Sequence, residues 1–151
     1  NLMFSSNSDF ESDQFQINKH TINYSNSAIM GNSVCRITDS TRQGSGLKFR
    51  VGCVSPVSLS RIHITGFYQM FGNNGKLTFV CTADSAGVLV ISDTLHHLQS
   101  NHYHHNWYRF ECEFLFRHRG LNISDSASVF PYFDGIGECE IDNVSYHFYK
   151  D

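Results

Sequence analysis

Proline is scarce in this chain, two residues in 151, and tryptophan is limited to Trp107. No run of apolar residues approaches the roughly 18 that a membrane-spanning helix needs, and no signal-peptide pattern is visible. Lys and Arg form no block and the net charge is −3, so the basic stripe of a nucleic-acid binder is missing. No CxxC pair occurs, which argues against zinc. No G-x-S-x-G elbow, phosphate loop or dinucleotide-type glycine pattern is present either. The length points to a single domain, residues 1–151. The chain begins with Asn1 and not Met, so it reads as a fragment of a larger protein.

The cysteines, at 35, 53, 81, 112 and 139, are odd in number and far apart. Most fall at core-facing strand positions, where a free thiol behaves as a small hydrophobe. Unpaired thiols point to synthesis in a reducing cytoplasm, with virus-particle assembly inside a cell among the settings that fit.

Thirteen Phe and seven Tyr are plentiful by comparison and favour strands. Period-two alternation dominates. Leu47, Phe49, Val51 and Cys53 share one face, with Lys48 and Arg50 opposite. Leu77, Phe79, Cys81 and Ala83 repeat the pattern, as do Tyr108, Phe110, Cys112, Phe114 and Phe116. Strands with one wet face are antiparallel. Further candidates are 10–17, 20–24, 33–38, 61–71, 87–92, 127–133 and 138–149, and only 94–100 suits a turn or two of helix. Glycine-bearing segments at 44–46, 72–75, 84–87 and 134–137 read as the turns between them. The expectation is all-β: an antiparallel two-sheet sandwich or jelly roll of about ten strands. In 138–149 the apolar phase slips from Cys139 and Ile141 to Val144, Tyr146 and Phe148, which places a β-bulge at Asp142-Asn143.

Three motifs carry a family resemblance. Asn1-Leu2 with Asn7-Ser8-Asp9-Phe10-Glu11 opens the chain, Asn106-Trp107-Tyr108-Arg109-Phe110 lies in its middle, and Glu140-Ile141-Asp142-Asn143-Val144-Ser145-Tyr146 closes it. Together they resemble the corresponding strands of jelly-roll carbohydrate-binding modules of the family four, nine and twenty-two group. Two extra residues before Asn7, and Asn143 where a second Asp is commoner, depart from that pattern. The resemblance implies first and last strands lying side by side. It also implies a structural calcium held by Glu11 and Asp142, carboxylates being the hard donors that Ca²⁺ prefers. The competing reading makes Glu11 a solvated strand residue and Asp142 a bulge residue bonded to local backbone.

For a sugar, aromatics on the non-core phase matter most. Ile62, Ile64, Tyr68 and Met70 read as inward, leaving His63, Phe67, Gln69 and Phe71 outward; Trp107 shares its phase with Arg109, Glu111 and Glu113. The expected carbohydrate face is therefore Phe67, Gln69, Phe71, Trp107, Arg109 and Glu111. Trp107 is either a sugar platform or a packing residue, and the outward aromatics fit an oligomer contact as well as a ligand. The histidines 96, 97, 102, 104 and 105 read as a solvated loop without metal. Glu111 and Glu113 lie on one strand face and do not form an opposed catalytic pair. Sequons at Asn23, Asn122 and Asn143 matter only in a secreted eukaryotic chain.

Two functions follow as expectations. One is a non-catalytic, receptor-recognising module for a polysaccharide or cell-surface glycan, in a virion or outside the cell. The other is a structural domain that trimerises a phage tailspike or fibre.

Overall fold

A computed structural model of the chain describes every residue except 9–15, 19–20, 26–27, 30, 32, 55–57, 86–87, 96–98, 105, 117–121, 123–124 and 151. The elements, in order, are β1 (Leu2–Ser8), β2 (Gln16–Ile17), β3 (Ile22–Tyr24), β4 (Ser33–Thr38), β5 (Gly46–Arg50) and α1 (Val51–Val54). They continue with β6 (Arg61–Ser85), β7 (Val88–Leu95), β8 (Gln99–His104), β9 (Trp107–Leu115) and β10 (Ser126–Tyr149). All pairings are antiparallel.

Two long strands organise the molecule. β6 and β10 pair along nearly their whole length, from Ser126↔Asp84 to Tyr149↔Arg61. Their 61–71 and 138–149 halves are flanked by β9 and β8 on one side, and by β4 and β1 on the other. Their 74–85 and 126–136 halves are flanked instead by β7 and β5, with β2 beyond β5. The ribbon thus serves two sheets, which close on one another: Phe79 of the second layer meets Phe110 of the first at 5.4 Å between ring centroids. Phe49 and Phe148 make the same crossing edge-on at 4.9 Å. This is the two-layer all-β sandwich that the alternation predicts.

The segments 72–75 and 134–137, expected to be separate turns, instead lie inside β6 and β10 and face each other: Asn74↔Ile136, Gly75↔Gly135, Lys76↔Asp134. Gly72, Gly135 and Gly137 adopt φ of 100°, 110° and 116°, and the register slips between Ile136 and Glu138. Positive φ and a bulge bend a ribbon without ending it, so the glycines make the corner where the strands change sheets. A Cβ at Gly135 would stand 1.9 Å from the carbonyl oxygen of Asn74, so no larger residue fits.

The core follows the alternation closely. Ile62, Ile64, Leu77, Phe79, Cys81, Ala83, Phe110, Cys112, Phe114 and Phe116 are all buried in one cluster, with Tyr68 and Met70 packed against it. Three expectations fail locally. Tyr108, expected on the inward face with Phe110, is 40% exposed at the start of β9. The strand beginning at Leu47 stops at Arg50; Val51–Val54 forms a single helical turn and turns Cys53 outward. A helix over 94–100 is not formed, since residues 94–95 end β7 and 99–100 begin β8. β-Hairpin pairing with β6 and β9 overrides the weak helical pattern there.

The chain ends meet as the resemblance implies. β1 pairs with β10 from Leu2↔Tyr149 to Ser8↔Val144, and Lys150 N donates to Asn1 O at 3.0 Å. The bulge at Asp142-Asn143 is present: the register with β6 shifts between Asp142 and Ser145, and Asn143 sits at φ 50°.

Candidate functional site

The layer built from β4, β10, β6, β9 and β8 has an inner face, which joins the core, and an outer face. On β10 the inner phase holds Cys139 and Ile141, yet the outer residues Glu140 and Asp142 are also buried. Two buried acids on the outside of a sheet need an explanation, because an unpaired carboxylate is costly to remove from water.

Glu140 supplies one. Across β10–β4 it faces Arg36, whose Nε and Nη2 both donate to Oε2, at 3.1 and 2.5 Å. Across β10–β6 it faces Gln69, whose Nε2 donates to Oε1 at 2.7 Å. Both carboxylate oxygens are therefore engaged, and the hydrogen bond to Glu140 raises the Arg36 pKa further above its ordinary value. Arg36 remains 38% exposed, so part of its guanidinium stays at the surface. Partners on adjacent strands fix the geometry of this carboxylate.

An aromatic pair lies beside this polar row. Phe67, two residues from Gln69 on the same outer phase, sits opposite Arg109, which in turn sits opposite Asn101. The Phe67 ring meets Tyr103 at 4.7 Å, and Tyr103 is 55% exposed. Tyr103 reaches this place through a register shift between His102 and His104, which leaves it as the extra residue of a bulge against β9. Such a bulge re-aims a side chain.

The outward residues expected from the sequence are therefore divided. Phe67, Gln69 and Arg109 come together on the outer face. Phe71, 41% exposed, continues their row toward the glycine corner. Glu111 lies farther along β9, opposite Thr65 and 3.6 Å from His63 Nε2, while Glu113 pairs with Arg61 at 3.1 Å. Trp107 and Gln69 require correction as members of an exposed face: Trp107 is 3% exposed and Gln69 is buried against Glu140. Trp107 opens β9 between β8 and β6, and the bulge in β8 presents the Tyr103 ring at the surface in its stead. His102 and His104 lie on β8 and not in a loop, while residues 96, 97 and 105 fall outside the described part.

Arg36, Glu140 and Tyr103 escaped the sequence reading. Glu138-Cys139-Glu140-Ile141-Asp142 looks like a strand with one wet face, and only tertiary pairing shows that this face is covered.

For calcium, Asp142 is a fully buried carboxylate whose Oδ1 accepts from Asn143 N at 2.8 Å. Its oxygen chemistry suits a hard cation. Ser8, at the end of β1, pairs with Val144 two residues away, whereas Glu11 lies outside the described residues. Among the described residues no three His, Cys, Asp or Glu side chains form a metal cluster.

Fold and site together define an antiparallel jelly-roll β-sandwich with a polar and aromatic outer face. No protein-family model matches the chain, and no curated sequence does. Solved structures similar to it include the CBM22-1 xylan-binding domain from Paenibacillus barcinonensis Xyn10C, with TM-score 0.57 and 15% identity over 100% of this chain and 96% of that one. The CBM22-2 xylan-binding domain of the same protein gives 0.55 and 11%, covering 95% and 98%. The CBM22-1-GH10 modules of Clostridium thermocellum Xyn10B, complexed with xylohexaose, give 0.55 and 8%, with 97% of this chain but 26% of that one covered. The likeness is one of fold.

Proposed function

We propose that this chain is a carbohydrate-binding module that does not itself catalyse, and that it binds a polysaccharide chain across the outer face of β10, β6, β9 and β8. The observation that carries this reading is the juxtaposition of the Arg36–Glu140–Gln69 row with the ring pair of exposed Tyr103 and half-buried Phe67. Sugar recognition asks for both elements. A pyranose has an apolar face that packs on aromatic rings, and hydroxyls that need planar donors and acceptors held in place. Here Tyr103 and Phe67 supply the rings, while exposed Arg109 and the partly exposed guanidinium of Arg36 supply planar donors. Because Glu140 is locked by its neighbours, little side-chain entropy is lost when a ligand docks against the row.

The substrate class that the reading favours is a neutral β-linked plant polysaccharide, with xylan first, since similar folds are described as xylan-binding. The reading includes a structural calcium held by Glu11 and Asp142, which would tie the N-terminal segment to the β10 bulge beside Phe67. Affinity electrophoresis against xylan, mannan, galactan and a bacterial capsular glycan tests it. Retardation by a neutral plant polysaccharide supports the reading, and uniform migration in all gels overturns it.

A further inference from the structure

A second feature lies away from the sugar face. Between β1 and β5, at an open side of the sandwich, the structure holds a cavity of about 240 Å³. Phe4, Phe49 and Phe148 form its aromatic wall; Phe148 meets Phe49 edge-on at 4.9 Å and Phe4 at 6.0 Å. Leu47, a core residue, adds a further wall. Lys48 and Arg50, both exposed, line it as well. Among the described residues neither cation forms an ion pair or hydrogen bond, although the chain carries a net charge of −3. Apolar sites with a few convergent polar groups are the usual form of small-ligand pockets, and this volume falls below the roughly 300–1,000 Å³ of drug-sized ones.

We infer that this cavity binds a small aromatic anion of one or two rings, its ring among Phe4, Phe49 and Phe148 and its acid group against Lys48 and Arg50. The three phenylalanines already meet in tilted and edge-on pairs, the arrangement a further ring extends. A carboxylate or sulfonate meets the two cations through charge-assisted hydrogen bonds.

Cys53 turns the cavity into its own reporter. It lines the cavity and is exposed, while the other four cysteines are buried. Alkylation of the folded protein by iodoacetamide therefore reads Cys53. The probes are 2-naphthoate and its neutral counterpart 2-naphthalenemethanol. Naphthoate should slow the alkylation of Cys53 and bind at least about tenfold more tightly than the alcohol. The double variant Lys48→Gln/Arg50→Gln, at two exposed positions outside the core, should lose that preference. Cys53→Phe, which fills the cavity and keeps both cations, should lose naphthoate binding as followed by naphthoate fluorescence. Unchanged Cys53 alkylation at about millimolar naphthoate, or equal naphthoate affinity in wild type and either variant, overturns the inference.

Discussion

Gln69 and Glu140 meet across the two longest strands, the amide Nε2 donating to the carboxylate Oε1 at 2.7 Å on the outer face of the sheet. With Arg36 on Oε2, this contact makes a buried acid tolerable. Arg36→Ala leaves Glu140 buried with one oxygen unpaired. The expected cost is roughly 2–3 kcal/mol, below the range for a fully buried pair because Arg36 is partly solvated. Glu140→Gln keeps the shape and removes the charge, and should cost less. Urea unfolding of both variants checks the order; an equal or reversed loss contradicts it.

The ribbon corner makes a sharper stability prediction. At Gly135 a Cβ would overlap the Asn74 carbonyl and φ is 110°; at Gly72 φ is 100° but nothing lies within 4 Å. Gly135→Ala suffers both clash and backbone strain, whereas Gly72→Ala suffers strain alone, of order 1–3 kcal/mol. Thermal unfolding should show the larger drop for Gly135→Ala, by several degrees at about 2–4 °C per kcal/mol. Comparable drops would mean that close approach of the two strands does not shape the corner.

Burial pushes the Cys35 thiol up from 9.0 to about 11 and the Cys112 thiol up to about 12, and raises Cys139 in the same direction. Above pH 9 the unfolded chain therefore releases protons that the folded chain retains. Stability is full below that value and falls as the pH climbs through the folded values, by about 1.4 kcal/mol per pH unit for each thiol involved. Urea midpoints at pH 8 and pH 10 should differ accordingly. Cys112→Ala or Cys139→Ala should flatten the alkaline fall, and an unaltered slope in both contradicts the assignment.

Calcium at Glu11 and Asp142 is tested by melting the protein in EDTA. A resident cation at a hundredfold excess over its Kd contributes about 2.7 kcal/mol, so EDTA should lower Tm by roughly 5–10 °C. Glu11→Gln should reproduce that drop in calcium-replete buffer. A Tm unaffected by EDTA sinks the site.

Much of this fold is legible in the sequence because it rests on period-two burial. Phe110, Cys112, Phe114 and Phe116 are inward, as their spacing dictates, and the phase slip after Ile141 marks a true bulge. The glycine segments mislead for a physical reason: positive-φ glycines serve a tight turn and a bent ribbon equally well, and only their mutual pairing across sixty-odd residues of intervening chain tells the two apart. The site was half legible. Phe67 and Gln69 follow from phase, but Arg36 and Glu140 meet through long-range pairing, and Tyr103 is aimed by a bulge that its sequence does not announce. Cys53 fails because the chain leaves strand geometry at Val51.

The central claim is that the Tyr103–Phe67 pair and the Arg36–Glu140–Gln69 row form one glycan-binding face. Isothermal titration of soluble xylan into wild type, Tyr103→Ala and Arg36→Lys measures it most directly. Wild type should bind saturably, Tyr103→Ala should lose about tenfold or more at unchanged stability, and Arg36→Lys should lose less. Saturable binding that is indifferent to Tyr103→Ala, or no binding to xylan or any other polysaccharide, contradicts it.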